Sequence, residues 1–420
     1  MPFDSPLTWL GAGSLAAWIH LVFFNGRFWQ GDQRLHAEAP TNDALAKWPA
    51  IVAVIPARNE ADVIERTLHS LLAQDYPGEL QIVLVDDRSD DGTGDVARRL
   101  ARDHPAASRL QVVETQEMPG GWVGKMWALH TGIRAAEARW PESTYLHLTD
   151  ADVEHDPGNL RAMVYKAEAE GLDLVSLMVM LHCKTHWEKL LIPTFVYFFQ
   201  MLYPFPRIND PRSRVVGAAG GCLLVKAESL KRAGGVESIR GEIIDDCALG
   251  AALKSVGRVW VGLSDTECCV RPYSGLGEIW AMVARSAYTQ LRHSAWRLAI
   301  AVAGMALVFL SPPLVVLSFP AHGNVWAMFL AGSAWLAMAW TFRPSALRYR
   351  RPPAFALLLP AAALLYLGMT LDSAHRHRIG VGSRWKGRAG AGNRHAAGAA
   401  AGPSIRERHS AREVHETAKY

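Results

Sequence analysis

The chain has 420 residues, with 44 Lys and Arg against 40 Asp and Glu, a formal net charge of +4, and 50% hydrophobic residues. This apolar content excludes a wholly disordered chain. The small positive excess sits in Arg-rich stretches beside apolar segments rather than in any nucleic-acid motif, so a nucleic-acid partner is excluded as well.

Leu7 to Phe24 is apolar and uncharged, long enough to span a bilayer. It lacks a basic leader and a small-residue cleavage site, so residues 1–28 read as a membrane anchor. Ile51 to Ile55 is a β-branched run without alternation, the pattern of a buried parallel strand, ended by Pro56. Asn59 to Leu72 follows with Val63, Ile64, Leu68, Leu71 and Leu72 at helical spacing. A second strand, Leu80 to Val85, runs into the acidic loop Asp86 to Thr93, and another helix starts there. Gly120-Gly121-Trp122-Val123-Gly124-Lys125 comes next, then an apolar run from Tyr145 to Thr149 that ends in Asp150-Ala151-Asp152. Glu242, Asp245 and Asp246 open a later helical stretch.

This β-α-β-α order predicts an α/β domain with a mostly parallel central sheet. Ligands of such sheets bind beyond the carboxyl ends of the strands. Pro56 to Glu60, Asp86 to Thr93 and Asp150 to Asp152 all fall at such ends and form one candidate site. Carboxylates at i and i+2 on a strand end can both face a divalent cation, Mg²⁺ or Mn²⁺, shared with diphosphate oxygens. A lysine behind glycines can serve as a point charge on phosphate, and a buried carboxylate can take a proton from an attacking hydroxyl. Each group also has a plainer reading. Asp86 to Thr93 and Asp245-Asp246 are good helix caps, and Gly120 to Lys125 is an ordinary turn with a solvated lysine.

Taken together, Pro56-Ala-Arg-Asn-Glu60, Val85-Asp-Asp-x-Ser-x-Asp-Gly-Thr93, Asp150-x-Asp152 and Asp245-Asp246-x-x-Leu249 resemble the family 2 inverting glycosyltransferases with the GT-A fold, over roughly residues 48–295. The apolar flanks, the Gly-Trp-Val-Gly-Lys run and Tyr288-Thr-Gln-Leu-Arg-His293 are most similar to the hopene-associated branch; related membrane branches act on ceramide or carotenoid acceptors. The resemblance implies a nucleotide-sugar site of Pro56, Arg58, Glu60, Asp86, Asp87, Lys125 and Asp150. Within it Asp87 reads the base and Lys125 touches the donor diphosphate. It further implies Asp152 and Asp150 toward the metal, Asp246 as catalytic base beside Asp245, and an acceptor side at Gly220, Gly221 and Cys222. Membrane members often carry Gln-x-x-Arg-Trp after the base. Here Thr289 and His293 replace its ends, while Arg292 keeps the place that neutralises the departing diphosphate. A basic helix start at a membrane surface is the alternative for that run.

Three further apolar stretches, Leu298 to Phe319, Val325 to Phe342 and Pro353 to Leu371, make residues 297–372 a membrane region. The Arg-rich loop from Arg343 to Arg351 and the basic tail favour the same side as the catalytic domain, which for a donor made in the cytosol is the cytoplasm. One full span cannot join two segments on one side, so Pro353 to Leu371 is expected to be re-entrant, with a break at Pro312-Pro313 as the alternative. Leu190 to Phe205, aromatic-rich and bracketed by Pro193 and Pro204, reads as an interfacial segment that admits a lipid acceptor, or as a core helix. Residues 373–420 form a basic tail, Gly/Ala/Arg-rich from Gly387 and expected to be disordered. The five cysteines and 16 histidines show no zinc-type spacing, and a reducing compartment fits.

The sequence therefore leads to an integral protein of the inner membrane. The resemblance implies that it passes a sugar from a nucleoside diphosphate to a lipid hydroxyl, a hopanoid in the branch it is most similar to, with inversion. A processive polysaccharide synthase and a non-catalytic membrane scaffold are the competing readings. The first wants more spans and an intact Gln-x-x-Arg-Trp; the second predicts loss of Asp150, Asp152 or Asp246, all of which are present.

Overall fold

The computed structural model describes residues 5–35, 40–380, 384–385 and 388–389. Residues 1–4 and most of the basic tail lie outside the described residues, and with them the expectation of disorder there. An N-terminal helix, α1 (Pro6–Phe24), precedes an α/β domain. That domain contains β1 (Ile51–Ala57), α2 (Ile64–Leu72), β2 (Leu80–Asp86), α3 (Thr93–Asp103), β3 (Leu110–Glu114), α4 (Gly124–Arg139), β4 (Tyr145–Thr149), β5 (Val153–Glu154), α5 (Asn159–Glu170) and β6 (Leu174–Met180). It continues through α6 (His186–Leu202), α7 (Phe205–Asn209), β7 (Cys222–Lys226), α8 (Ala227–Arg232), α9 (Asp245–Lys254), β8 (Val259–Cys269) and α10 (Leu276–Gln290).

The eight strands form one mixed sheet in the order β3-β2-β1-β4-β7-β6-β8-β5. The half β3-β2-β1-β4 is parallel, β7 runs against both neighbours, and β6 and β8 are parallel again. Every residue of β1 is buried, as its unbroken apolar run requires. The strand does not stop before Pro56; it runs to Ala57, with Pro56 opposite Val85. The ladder to β4 ends at Val54, so beyond that point β1 has one neighbour and tolerates a residue without an N–H. Conversely α2 starts at Ile64, five residues later than the apolar spacing suggests. Asn59, Glu60 and Ala61 donate their N–H groups to Ser89, Thr93 and Asp91 instead of entering a helix.

The C-terminal region holds α11 (Ala295–Met305), a π-helical stretch (Ala306–Leu310), α12 (Ser311–Leu317), α13 (Phe319–His322), α14 (Val325–Arg348), a 3₁₀ stretch (Pro353–Leu358) and α15 (Leu359–Arg378). A short antiparallel pair, β9 (Arg384–Trp385) with β10 (Arg388–Ala389), follows. Pro312-Pro313 makes no hairpin: helix continues through it after the π-helical turn. Four helical segments are long and apolar enough to cross a membrane: Pro6–Phe24, Ala295–Leu317, Val325–Arg348 and Pro353–Arg378. They carry exposed Trp9, Phe23, Leu314, Leu317, Phe329 and Trp340.

The four segments are not equivalent. The end of α1 away from the α/β domain meets the start of α14 through Thr8 and Asn324, while the other end of α14 reaches the sheet, where Arg348 donates to the carbonyls of Met178 and Ser264. The last segment runs from α14 past α6 and α10 to the turn after α10. Phe355 lies against Phe342 of α14, Tyr366 donates to the Leu191 carbonyl of α6, Asp372 accepts from Trp280 of α10, and His377 stacks on His293.

Between sheet and helical bundle lies α6. Ile192 and Val196 pack into the sheet's core, while Leu191, Tyr197 and Phe198 pack into the bundle. Its start is a capping box of Thr185 and Glu188. Pro193 does not bracket this segment but lies inside the helix; Pro204 ends it. Phe198 is 9% exposed, its ring against Phe309 and Tyr366, so it is a joint between helices rather than a lipid-facing side chain.

Candidate active site

The carboxyl ends of β1, β2 and β4 place their loops side by side. Asp87 is fully buried: Thr115 donates to its Oδ1 at 2.7 Å, and Arg58 lies 3.8 Å from its Oδ2 while donating to its carbonyl at 2.5 Å. Asp86 turns back to accept from the Ser89 N–H at 3.0 Å. Asp91 accepts from Ala61 and Thr93, and these bonds outweigh its partial burial and lower its pKa. The acidic loop thus divides its labour. Asp86 and Asp91 hold turns, as a capping reading requires, and Asp87 alone forms a buried charged pair with Arg58.

The second group gathers around Lys125, which stands in the first turn of α4 rather than in the glycine loop. Its Nζ lies 2.9 Å from Asp150 and 3.2 Å from Asp245. Burial works against its charge, but the two carboxylates outweigh that and hold its pKa up. Asp246, second residue of α9, accepts from the Gly220 N–H at 3.1 Å and the Cys247 N–H at 2.7 Å. Burial, then the neighbouring Asp245, pushes its pKa up to about 6, with Lys125 pulling the other way. A Cβ on Gly220 would lie 3.1 Å from that of Asp246, so a side chain there would displace the carboxylate. Pro56, Lys125, Asp150, Gly220, Asp245 and Asp246 line one cavity, with space of about 20 Å³, roughly one water.

Arg271, just past β8, was not evident from the sequence. Its guanidinium bridges Asp152 (Nε to Oδ2, 3.2 Å), Glu60 and Asp62, closing the site on the side opposite Lys125. The only signal was position: a basic residue at the end of a strand whose neighbours in the sheet carry the acids. Thr115, the partner of Asp87, was missed likewise. Tyr203, at the end of α6, neighbours Cys247 and Asp246 and donates to Gln290 at 2.7 Å, which brings the ends of α6 and α10 to the same site.

Two expected members stand apart. The Cys222 side chain is fully buried against Asn159 and Met163, so it turns away from the cavity that Gly220 lines with Asp246. The cause is strand alternation, which turns consecutive side chains of β7 to opposite faces. Arg292 is exposed on the turn after α10, in left-handed backbone (φ 51), and no described contact ties it to Asp150, Lys125 or Asp246.

Comparison with known proteins bears on the family and the fold. Residues 52–234 match the model of the glycosyl transferase family 2. The chain carries a family 2 glycosyltransferase domain. It is 33% identical over 141 residues to the succinoglycan biosynthesis protein ExoO of Rhizobium meliloti, covering 32% of this chain and 36% of that one. It is 28% identical over 213 residues to the 4,4'-diaponeurosporenoate glycosyltransferase of Staphylococcus aureus, covering 49% and 52%. The chain therefore spans between about a third and a half of the length of these curated relatives. Among solved structures, the mannosyltransferase PcManGT from Pyrobaculum calidifontis, in complex with GDP-Man and Mn²⁺, superposes with a TM-score of 0.52 at 20% identity, covering 87% of this chain and 99% of that one. That likeness establishes the fold of the glycosyltransferase domain as GT-A.

Proposed function

We propose that this protein is an inner-membrane glycosyltransferase whose domain at residues 48–295 faces the cytoplasm. It moves a sugar from a nucleoside diphosphate to a lipid hydroxyl with inversion. The observation that carries this reading is Asp246: a carboxylate with a pKa near 6, held by two backbone N–H groups and set beside the lysine and acids that suit a diphosphate. Its pKa lies close enough to neutrality for it to be ionised at work and to accept a proton readily. In this reading Arg58 and Asp87, a buried ion pair, serve the nucleotide, and Lys125 and Arg271, each paired with a carboxylate of the Asp150–Asp152 turn, serve the diphosphate.

Asp150 and Asp152 fit a divalent cation. Both present hard oxygens at a strand end, and both already face positive charge, Lys125 for one and Arg271 for the other. When bound, such an ion neutralises charge on the departing diphosphate. The bound Mn²⁺ and GDP-Man of PcManGT support the same ligand classes here. Reaction then needs one displacement: Asp246 takes the acceptor's proton as its oxygen attacks the anomeric carbon, and Lys125 and Arg271 hold the charge that develops on the leaving group.

The lipid acceptor is supported by the platform of α6, α10 and α15, whose first two helices end at Tyr203 and Gln290 beside Asp246. The relative named for 4,4'-diaponeurosporenoate supports an apolar acceptor too, and a hopanoid is the member of that class the sequence resemblance favours. The re-entrant reading of Pro353 to Leu371 is supported by the contacts that keep α15 on the domain's side.

The test is transfer from a panel of nucleotide sugars to a total lipid extract by purified protein in detergent, beside Asp246→Asn and Asp152→Asn. A glycosylated lipid of inverted anomeric configuration, made by wild type and by neither variant, is the expected result. Folded wild-type protein that neither transfers nor hydrolyses any donor overturns the proposal.

A further inference from the structure

Directly beneath the Asp150–Asp152 turn, on the opposite face of the sheet, lies a buried cluster that sugar transfer does not use. It contains His147 on β4, His155 just after β5, Cys222 on β7 and Asn159 at the start of α5, between 0% and 4% exposed. One ring nitrogen of each histidine and the thiol sulfur lie within 4.8 Å of one another.

The hydrogen bonds fix which atoms are free. His147 Nδ1 lies 3.1 Å from the Leu223 carbonyl, which can only accept, so Nδ1 carries the proton and Nε2 a lone pair. Thr149 gives its hydroxyl proton to the Gly221 carbonyl at 2.9 Å and so accepts from His155 Nε2 at 2.9 Å, leaving a lone pair on His155 Nδ1. Metal-binding histidines are oriented in this way, one nitrogen donating to a carbonyl or hydroxyl and the other facing the ion. Two atoms in the cluster, His147 Nε2 and Asn159 Oδ1, are buried with no hydrogen-bond partner, a condition that calls for an ion or a water. The Asn159 amide nitrogen lies 3.4 Å from His155 Nδ1 and 3.5 Å from Cys222 Sγ, so a half turn of the amide brings its oxygen in. Burial keeps both imidazoles neutral, the form that ligates, and pushes His147 down to about 4. Met163 Sδ, 3.6 Å from Cys222 Sγ, completes a soft wall.

We propose that His147, His155 and Cys222 bind a zinc ion, with the Asn159 amide oxygen as fourth ligand. Imidazole and thiolate together select zinc over magnesium or manganese. Zinc–nitrogen and zinc–sulfur bonds of about 2.1 and 2.3 Å set ligand separations near 3.5 Å, so the donors close by roughly 1.3 Å or less from their present spread. Binding releases the Cys222 proton. A way in exists: a cleft of about 590 Å³ lined by Asp62, Glu65, His69, Ser70, Glu154 and His155 opens on the outer side of His155. The ion would tie β4, the turn after β5 and β7 together, fixing the Asp150–Asp152 turn against Gly220-Gly221 from below. Sequence spacing conceals the site because His147 lies within β4, His155 after β5 and Cys222 at the start of β7, up to 75 residues apart.

The test is metal analysis of full-length protein purified without a chelating tag, followed by cobalt exchange. The expected result is about one zinc per chain, retained in Asp152→Asn and lost in Cys222→Ser and His155→Gln, with a thiolate-to-cobalt absorption band in exchanged wild type. The band reports the Cys222 bond without relying on any variant's folding. Zinc below about a tenth of an equivalent with no such band, or zinc lost with Asp152→Asn but kept in Cys222→Ser, overturns the proposal. Neither result bears on the glycosyl-transfer reading, which concerns the other face of the sheet.

Discussion

Asp246→Asn separates catalysis from stability in a way that only a buried, repelled base would. As the proposed base, Asp246 is expected to contribute on the order of 10²- to 10⁴-fold to the transfer rate, so the variant should lose that much in kcat with donor binding little changed. Its folded pKa near 6 lies above the ordinary 3.8, so the folded state prefers the protonated acid. The resulting linkage is favourable below the unfolded pKa, and its benefit is lost as pH rises through the folded one. From those two values the cost of the ionised carboxylate grows by about 2 kcal/mol between pH 4 and pH 8. Asparagine carries no such cost, but it leaves one of the two N–H donors, Gly220 or Cys247, facing an amide NH₂, a roughly constant penalty of about 1–3 kcal/mol. The variant should therefore unfold more easily than wild type at pH 4–5 and draw level with it, or pass it, at pH 8. Wild-type kcat/KM should fall about tenfold per unit below pH 6. Thermal unfolding of both proteins at three pH values, with a transfer profile from pH 5 to 8, checks this. A stability difference independent of pH, or an activity profile flat across pH 6, would refute the role given to Asp246.

Four further outcomes are expected. Lys125→Met removes the charge that holds Asp246 down, so the acid limb should move up by about one pH unit and donor KM rise roughly 10- to 100-fold; a pH profile measured at saturating donor checks the first part. Arg271→Gln leaves Glu60 and Asp152 without their common partner and should weaken nucleotide binding in a titration while the Asp246 limb stays in place. Glu188 accepts from the N–H groups of Lys184, Thr185 and Tyr273 and from His182, bonds that outweigh its burial and draw it down to about 2. Its stabilisation is present above the ordinary carboxylate range and lost as pH falls toward 2, and Glu188→Gln should cost about 3 kcal/mol in denaturant unfolding at pH 7. Finally, Gly323→Cys and Gly380→Cys, each with the exposed native Cys268 changed to Ser, should react with an impermeant maleimide from opposite sides of the membrane; labelling from one side would mean that α15 crosses.

Much of the α/β domain was legible because its signals are local. The unbroken run of β1, the periodicity of α2 and the acids closing β2 and β4 all follow from neighbours in the chain, and their parallel order sets three polar loops at one edge. What was hidden depends on pairing across distance. Arg271 meets Asp152 only because β8 pairs with β5 and carries its end beside that turn. Cys222 was assigned to the acceptor side from its glycine neighbours, yet strand alternation turns it into the core. Pro56 looked like a strand end because nothing local shows that one ladder of β1 stops at Val54. The late start of α2 has the same origin, since Ser89, Asp91 and Thr93 claim its first N–H groups from 30 or more residues away.

The contacts of α6 connect membrane and chemistry. Its Tyr197 and Phe198 pack against Phe28, Phe309, Phe342 and Tyr366 rather than facing outward. It serves instead as a rigid beam between the bundle and the sheet. At one end Glu188 fastens the loop carrying Arg271 through Tyr273; at the other, Tyr203 adjoins Cys247 and Asp246 and holds Gln290. Both edges of the site, at Arg271 and at Asp246, thus rest on one helix packed against the apolar bundle. On the proposed reading, a lipid held against α10 and α15 would bring its hydroxyl to the end of α10, where Gln290 meets Tyr203 beside Asp246. An acceptor restrained in this way arrives already oriented, which lowers the entropy cost of the displacement, and water would compete for the sugar only where the beam's ends part.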